Sequence, residues 1–236
     1  MPARMKRRPA VARGDRQAVG LGLAAAACGI VAVTTAVMGH RGPAPQAPAA
    51  PRTWAPPQAQ RAEQALALPA APPMRIAIPA LGVHAPVARA GLRPDGTLQP
   101  PRPPHQDRPA WYTGSVTPGE AGTAVIEGHL DSYAGPSVFF RLGRLRPGQD
   151  VRVRRSDGTT AVFTVDAVRR FAKDGFPTRA VYTDTPGPSL RLITCGGAFD
   201  TATRHYRDNT VAFAHLTAVA RTPVSACGRA GSRTCR

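Results

Sequence analysis

The sequence predicts an all-β fold, a barrel or sandwich of short strands, over residues 74–221. Three observations predict it. Short runs with alternating polarity or β-branched enrichment recur at close spacing along this stretch. Clusters of Gly, Pro and Asp punctuate them as turns. Few stretches between them carry helical periodicity.

Each element has its own reason. Residues 75–78, Arg-Ile-Ala-Ile, alternate and stop at Pro79. Residues 83–87 read as a second strand that Pro86 interrupts, because proline brings no N–H to a ladder. Residues 94–97, Pro-Asp-Gly-Thr, make a turn, and residues 100–109 make a proline-rich loop. Residues 110–114 suit a strand, and residues 123–129 form another. Residues 137–142 read as a short helix and residues 145–150 as a turn. Residues 151–155 and 160–169 form a hairpin around Ser156-Asp157-Gly158. Residues 189–195 and 209–216 supply the last two strands. No internal repeat is evident.

The flanks differ in composition. Residues 1–17 carry six basic residues and one acidic, and residues 18–38 carry no charge. Twenty-one uncharged, mostly apolar residues reach the ~20 that a membrane-spanning helix needs. The basic flank predicts an N-terminus left in the cytoplasm and a domain on the outside. A cleaved signal peptide is the alternative for this alanine-rich run. Its length beyond the ~7–15 residues of a signal core favours an uncleaved anchor. A lipoprotein site at Cys28 is disfavoured, since Ala25-Ala26-Ala27 lacks a large aliphatic residue before it. Residues 39–73, rich in Pro, Ala and Gln, read as a semi-extended linker, with a short helix over 58–68. Trp54 within it rests at the membrane interface or in solvent. Residues 222–236 form a C-terminal tail.

The formal charge is +17, spread along the chain. Residues 74–221 hold 19 Lys and Arg against 12 Asp and Glu, without a concentrated basic helix or zinc-finger spacing. Nucleic-acid binding is therefore not expected. Attraction to an anionic membrane or cell wall suits such a field better. The four cysteines, at 28, 195, 227 and 235, make no disulfide framework for a domain of this size. Cys227 and Cys235 lie close enough in the tail to pair in an oxidising compartment, which leaves Cys195 unpaired.

That thiol ends the run Leu190-Arg191-Leu192-Ile193-Thr194-Cys195-Gly196-Gly197, a buried strand expected to stop at the Gly-Gly turn. An isolated cysteine is most often an inert buried residue. A strand end opening on a turn is instead where a reactive group meets solvent. A second β-rich run, Thr123-Ala124-Val125-Ile126-Glu127-Gly128-His129-Leu130-Asp131, ends at His129. A cysteine and a distant histidine, each ending a strand, match a thiol nucleophile with its proton partner. His40, His84, His105, His205 and His215 are weaker candidates by position. No second ligand stands at zinc-like spacing from Cys195, and no phosphate loop, dinucleotide fingerprint or cofactor motif is present, so neither metal nor cofactor is expected.

At these residues the sequence resembles a known family. Leu192-Ile193-Thr194-Cys195 resembles the TLxTC strand of the sortases, and Gly128-His129 resembles their catalytic histidine strand. Gly135-Pro136-Ser137-Val138-Phe139-Phe140 and Cys195-Gly196-Gly197-Ala198-Phe199-Asp200 are most similar to the actinobacterial class F sortases. The resemblance covers residues 74–221 and is strongest after Trp111. It implies an eight-stranded sortase barrel and a transpeptidase. Cys195 attacks the Thr carbonyl of an LPxTG-like sorting signal, a thioester forms, and His129 protonates the departing glycine amine. The implied partners are secreted proteins with C-terminal sorting signals and an amine acceptor of the cell wall.

The resemblance also implies an oxyanion-binding arginine near the start of the last strand. There the sequence reads Thr203-Arg204-His205-Tyr206-Arg207-Asp208-Asn209-Thr210-Val211. The class A pattern puts Asn209 in the arginine slot. Arg207 shares the face of Asn209 by strand alternation and is the candidate, with Arg204 the alternative. Their other reading is surface decoration, the usual fate of arginine.

Two readings compete with the transpeptidase. One is a thiol peptidase that uses water as acceptor. An L,D-transpeptidase expects a Ser-His-Gly-x-x-Gly run around its cysteine, and a papain-like enzyme expects its cysteine at a helix start; Cys195 has neither context. The other is a non-catalytic, membrane-tethered β-domain that binds cell-wall polymers. It explains anchor, linker and charge but not the Cys195 and His129 pair, and labelling by a thiol-reactive vinyl sulfone separates it from an enzyme.

Overall fold

A computed structural model describes residues 42–51, 54–56, 66–94, 96–99, 101 and 104–221. The basic segment, the uncharged run 18–38, the tail 222–236 and the cysteines at 28, 227 and 235 lie outside the described residues, as does nearly all of the helix expected over 58–68. Among the described residues no helix is long and apolar enough to cross a membrane.

Among the described residues eleven strands occur in chain order. They are β1 (Pro73–Ile78), β2 (Val83–Pro86), β3 (Ala88–Ala90), β4 (Ala110–Tyr112), β5 (Gly122–Glu127), β6 (Asp131–Ser132), β7 (Gly135–Pro136), β8 (Asp150–Arg155), β9 (Thr159–Ala172), β10 (Pro188–Asp200) and β11 (His205–Arg221). Nine join one sheet in the order β2-β1-β8-β9-β11-β10-β5-β4-β3, and β6 and β7 form a separate small ladder. The two edge strands, β2 and β3, are separated in the chain by Val87 alone. Val87 N–H donates to Met74 on one edge (3.0 Å), and Ala88 N–H donates to the Pro109 carbonyl beside the other (2.8 Å). A sheet whose opposite edges meet at one residue is rolled into a nearly closed barrel, which removes most of its free edge. The expected eight strands become nine because Ala88–Ala90, taken as connection in the sequence, pairs in parallel with β4.

Strand alternation sorts side chains to two faces. Leu190 and Leu192 of β10 meet Ile126, Ala212, Val153 and Phe163 in the barrel interior, all essentially inaccessible. Burying a Leu or Phe side chain in this way contributes about 1.5–3 kcal/mol. Val125, Ile193, Val211 and Phe213 point the other way and, with Phe171 and Val181, form an outer cluster. The helix α1 (Thr178–Tyr182) brings Val181 and Tyr182 to that cluster. The buried Arg191 lays its guanidinium over the Phe213 ring at 4.8 Å, and burial pushes its pKa down to about 10.

Four expectations need correction. The glycine pair does not end the thiol strand: β10 continues to Asp200, with Phe199 opposite Tyr206 after a register slip at Gly196. Gly197 makes that bulge possible, with φ of 76°, where a Cβ would lie 2.3 Å from the Asp208 carboxylate. The helix over 137–142 is replaced by successive tight turns that lead into one 3₁₀ turn, Leu142–Arg144. The stretch read as a linker is seated on the domain in part: Ala44 and Ala47 are buried, Ala50 N–H donates to Arg170 O (2.9 Å) and Arg170 N–H to Pro48 O (2.8 Å). Trp54 is not the solvated tryptophan of a free linker but packs at 5.4 Å and 4.6 Å from the Phe171 and Phe213 rings. Its indole covers apolar surface that the outer cluster would otherwise expose. The hairpin of β8 and β9 forms as its turn chemistry predicts, with Asp157 Oδ1 accepting from Thr159 N–H (2.9 Å) and Gly158 at φ of 80°.

Candidate active site

The site begins with a backbone register. β5 and β10 run parallel, from Pro188 opposite Gly122 to Ile193 opposite Glu127. Gly128 N–H then donates to Ile193 O at 3.0 Å. Cys195 and His129 therefore each stand two residues beyond the last registered pair, Cys195 within β10 and His129 just past the end of β5, at the same level of the sheet. Gly128 permits this exit: a Cβ there would fall 2.6 Å from Phe139 and 2.8 Å from Val138. On its other side Cys195 pairs with Asn209 of β11, which pairs in turn with Phe171 of β9. One row across the sheet thus reads Phe171, Asn209, Cys195.

Cys195 is half-buried and free. Its thiol has a cation in contact, since Lys173 Nζ lies 3.7 Å from Sγ. Lys173 belongs to the 3₁₀ turn Lys173–Gly175 that follows β9, and pairing of Ala172 with Asp208 brings that turn to the site. Burial pushes the thiol pKa up; Lys173 pulls it down, while Asp131 and Glu127 push it up further. Asp131 accepts a hydrogen bond from the Tyr206 hydroxyl. Burial, that bond and the nearby Cys195 all raise the phenol's pKa.

Glu127 is the second charged group that the sequence did not single out. It faces the thiol from β5, and its Oε1 is buried without a hydrogen-bond partner among the described residues. Burial raises its pKa to about 7, against the pull of Arg93. The sequence does hold a trace of Glu127, as the polar residue in the apolar run 124–126. Nothing in it signals Lys173, which reaches Cys195 through strand pairing alone.

His129 is half-buried, with Nε2 3.2 Å from the Pro101 carbonyl. A carbonyl only accepts, so Nε2 is the donor of this hydrogen bond. Arg207 shares the face of Asn209, but its side chain is 69% exposed and its guanidinium holds Asp200 at 3.3 Å. Arg204 sits at a positive φ of 56° in the β10–β11 turn and bonds the Tyr133 hydroxyl, its guanidinium 5.4 Å from that ring. The structure thus brings Lys173 to the thiol, sets His129 at the same level of the sheet, and engages Arg207 and Arg204 with other partners. An open depression of about 370 Å³ adjoins the site, lined by Lys173, Asp200, His205, Tyr206, Arg207 and Asp208 among others. Among the described residues no group of three His, Cys, Asp or Glu is placed to hold a metal ion.

A thiol beside an ammonium, with an imidazole at the neighbouring strand end, suits nucleophilic acyl transfer. Known proteins bear on the arrangement. No curated protein matches the chain. Solved structures similar to it include the lid mutant of sortase A from Corynebacterium diphtheriae, at 20% identity over 61% of this chain and 69% of that one, with a TM-score of 0.47. Sortase C1 from Streptococcus agalactiae is 18% identical over 61% and 66% of the two chains, with a TM-score of 0.49. Sortase A from Listeria monocytogenes is 17% identical over 65% and 92%, with a TM-score of 0.48. The family model for the sortase domain matches residues 76–217, more than half of the 236 residues and the whole of the site. The chain belongs to the sortase family, a family of cysteine transpeptidases.

Proposed function

We propose that this sortase is held in the cell membrane by residues 18–38, with its barrel outside. There it cleaves an LPxTG-like sorting signal and joins the released protein to an amine of the cell wall. Its motifs favour the class F branch of the family. The observation that carries this reading is the parallel register of β5 and β10, which sets Cys195 of β10 level with His129 just beyond the end of β5. The uncharged run of 21 residues behind a basic segment supports the anchor.

In this reading the Cys195 thiolate attacks the Thr carbonyl and the carbon–sulfur bond forms. The carbonyl electrons move to oxygen, giving an oxyanion. Arg207 is the guanidinium assigned to it, and its release from Asp200 is cheap, since exposed ion pairs contribute about 0–1 kcal/mol. The carbon–nitrogen bond then breaks, and protonated His129 gives its proton to the departing glycine amine. The thioester that remains is attacked by the acceptor amine, which loses a proton to His129, and the carbon–sulfur bond breaks to return the Cys195 thiolate.

The test uses the full chain in detergent, a peptide library and a simple amine, with products resolved by mass spectrometry. The expected product is the N-terminal fragment joined to the amine at a Thr carbonyl, absent in Cys195→Ala. Release of free acid alone, whatever the amine concentration, would make the enzyme a peptidase. Absence of both cleavage and vinyl sulfone labelling would leave the non-catalytic cell-wall-binding domain.

A further inference from the structure

Three features of the site remain unaccounted for by a Cys195, His129 and Arg207 set. The imidazole Nε2 of His129 faces the Pro101 carbonyl at 3.2 Å. The Arg207 guanidinium faces Asp200. The group that touches the sulfur is the ammonium of Lys173, at 3.7 Å.

The surroundings of the thiol make that contact consequential. Cys195 is met by β5, by the β6 end, by β11 and by the turn after β9. From β5 and the β6 end come the carboxyls of Glu127 and Asp131, both of which oppose a negative sulfur. From β11 come the neutral Asn209, paired directly with Cys195, and the Tyr206 phenol, which is bonded to Asp131. Arg93 faces Glu127. Burial first, and then the two carboxyls, keep the thiol pKa above its usual value even with Lys173 in contact, so the cation opposes that rise without cancelling it. Lys173 is the cation in contact with it, and its own side chain is exposed, so the ammonium keeps its hydration.

We propose that Lys173 is a further catalytic residue of this sortase, whose ammonium pairs with Cys195 Sγ and eases its ionisation to the attacking thiolate. The step is one ionisation: the S–H bond breaks, its electron pair stays on sulfur beside the ammonium, and the proton goes to His129 or to water. Lys173 loses no proton. The role differs from that of Arg207, which acts on the substrate oxygen after attack. The inference rests on the sortase reading only for the purpose of the thiolate, because ionisation of the thiol is measurable without a substrate.

The test is the rate of iodoacetamide alkylation of Cys195 in the full-length protein across pH 5–10, counted by peptide mass mapping. Lys173→Gln is expected to shift the midpoint of the profile to higher pH and to slow alkylation at pH 7 about three- to tenfold. The two rates should converge above the midpoint, where the thiol is ionised in both proteins. Lys173→Arg should recover most of the loss, and 1 M salt should narrow the gap between wild type and Lys173→Gln, because the pair is open to solvent. Superimposable profiles for wild type and Lys173→Gln would overturn the proposal, as would a uniform slowing at all pH values, which marks altered access and not altered ionisation. A failure of peptide cleavage with this shift intact would count against the transpeptidase reading and leave the Lys173 pairing standing.

Discussion

The two ends of β5 are built differently. At its start, Thr123 N–H donates to Asp184 Oδ1 (2.9 Å), and the Thr123 hydroxyl donates to Thr183 O (3.0 Å). Nearby, Arg155 is almost wholly buried, and both its terminal nitrogens are engaged: Nη1 donates to Pro118 O (2.9 Å) and Nη2 to Pro69 O. Asp157 completes its charge balance at 3.4 Å. At the finish of the strand, Glu127 keeps a buried oxygen without a partner among the described residues, and Cys195 lies between an ammonium and two carboxyls. The first end engages both terminal nitrogens of Arg155, leaving only its Nε without a partner among the described residues, and closes the barrel onto residues 69–72. The second end leaves polar groups short of partners, which is tolerated where substrate or a change of charge completes them.

Mutations at the two ends should therefore separate cleanly. The largest effects belong to the finish. Cys195→Ala should lose peptide cleavage to below about 10⁻³ of wild type, and His129→Ala should lose about 10²–10⁴-fold, with thermal melting unchanged in both. Residual turnover near wild type in Cys195→Ala would break the contrast at its centre. Arg207→Ala should lower kcat by about 10²–10³ with KM little altered, while Arg204→Ala costs much less. If the crippled variant is Arg204→Ala, the Tyr133 contact and not the Asp200 ion pair marks the oxyanion residue. If neither variant is impaired, oxyanion stabilisation falls to backbone N–H groups or to Asn209.

At the start of β5 the signature should be stability without chemistry. Arg155→Met leaves the Pro69 and Pro118 carbonyls without donors and should cost about 3 kcal/mol, or roughly 10 °C in Tm, with kcat per folded molecule unchanged. Equal losses of Tm and kcat would merge the two ends into one cooperative site.

The smallest effect is a pH dependence at Glu127. Its folded pKa is raised from 4.5 to about 7, so the folded state holds a proton that the unfolded state has released between those values. Stability therefore falls as pH rises from about 4.5 to 7 and levels off above, because the penalty for an ionised buried carboxylate is then complete. Glu127→Gln should match wild type near pH 4 and become more stable than it by about 2–3 kcal/mol at pH 8, measured by urea unfolding. The same change removes a negative charge facing Cys195, so alkylation of the thiol at pH 8 should speed up severalfold. A stability difference independent of pH would show that Glu127 is already ionised below pH 5.

The sequence carried the parts of this picture that local pattern encodes. The alternation of residues 75–78, 151–155 and 160–169 and the Asp157-Gly158 turn found their strands, and the residues around Gly128-His129 and Thr194-Cys195 marked the site. What it did not carry was pairing between distant strands. The parallel register of β5 and β10, strands some 60 residues apart, leaves no periodic mark. Nor does the pairing of Ala172 with Asp208, which lands Lys173 on the thiol. The seating of residues 44–50 was hidden for another reason. Their Pro- and Ala-rich composition is that of a spacer, yet Ala47 is small enough to bury and Arg170 offers both backbone groups. The bulge at Gly197 shows a limit of turn chemistry: a glycine pair permits a turn, but here the flanking residues continue the ladder.

The central claim is that Cys195 is the acylated nucleophile of a sortase. It is tested most directly by intact-mass analysis of the full-length protein after brief mixing with a sorting-signal peptide, followed by peptide mapping. The expected result is a mass increase equal to the N-terminal peptide fragment, mapped to Cys195 and released by hydroxylamine as a thioester should be. Cleavage of the peptide with no adduct at Cys195, or with the same turnover in Cys195→Ala, would contradict it.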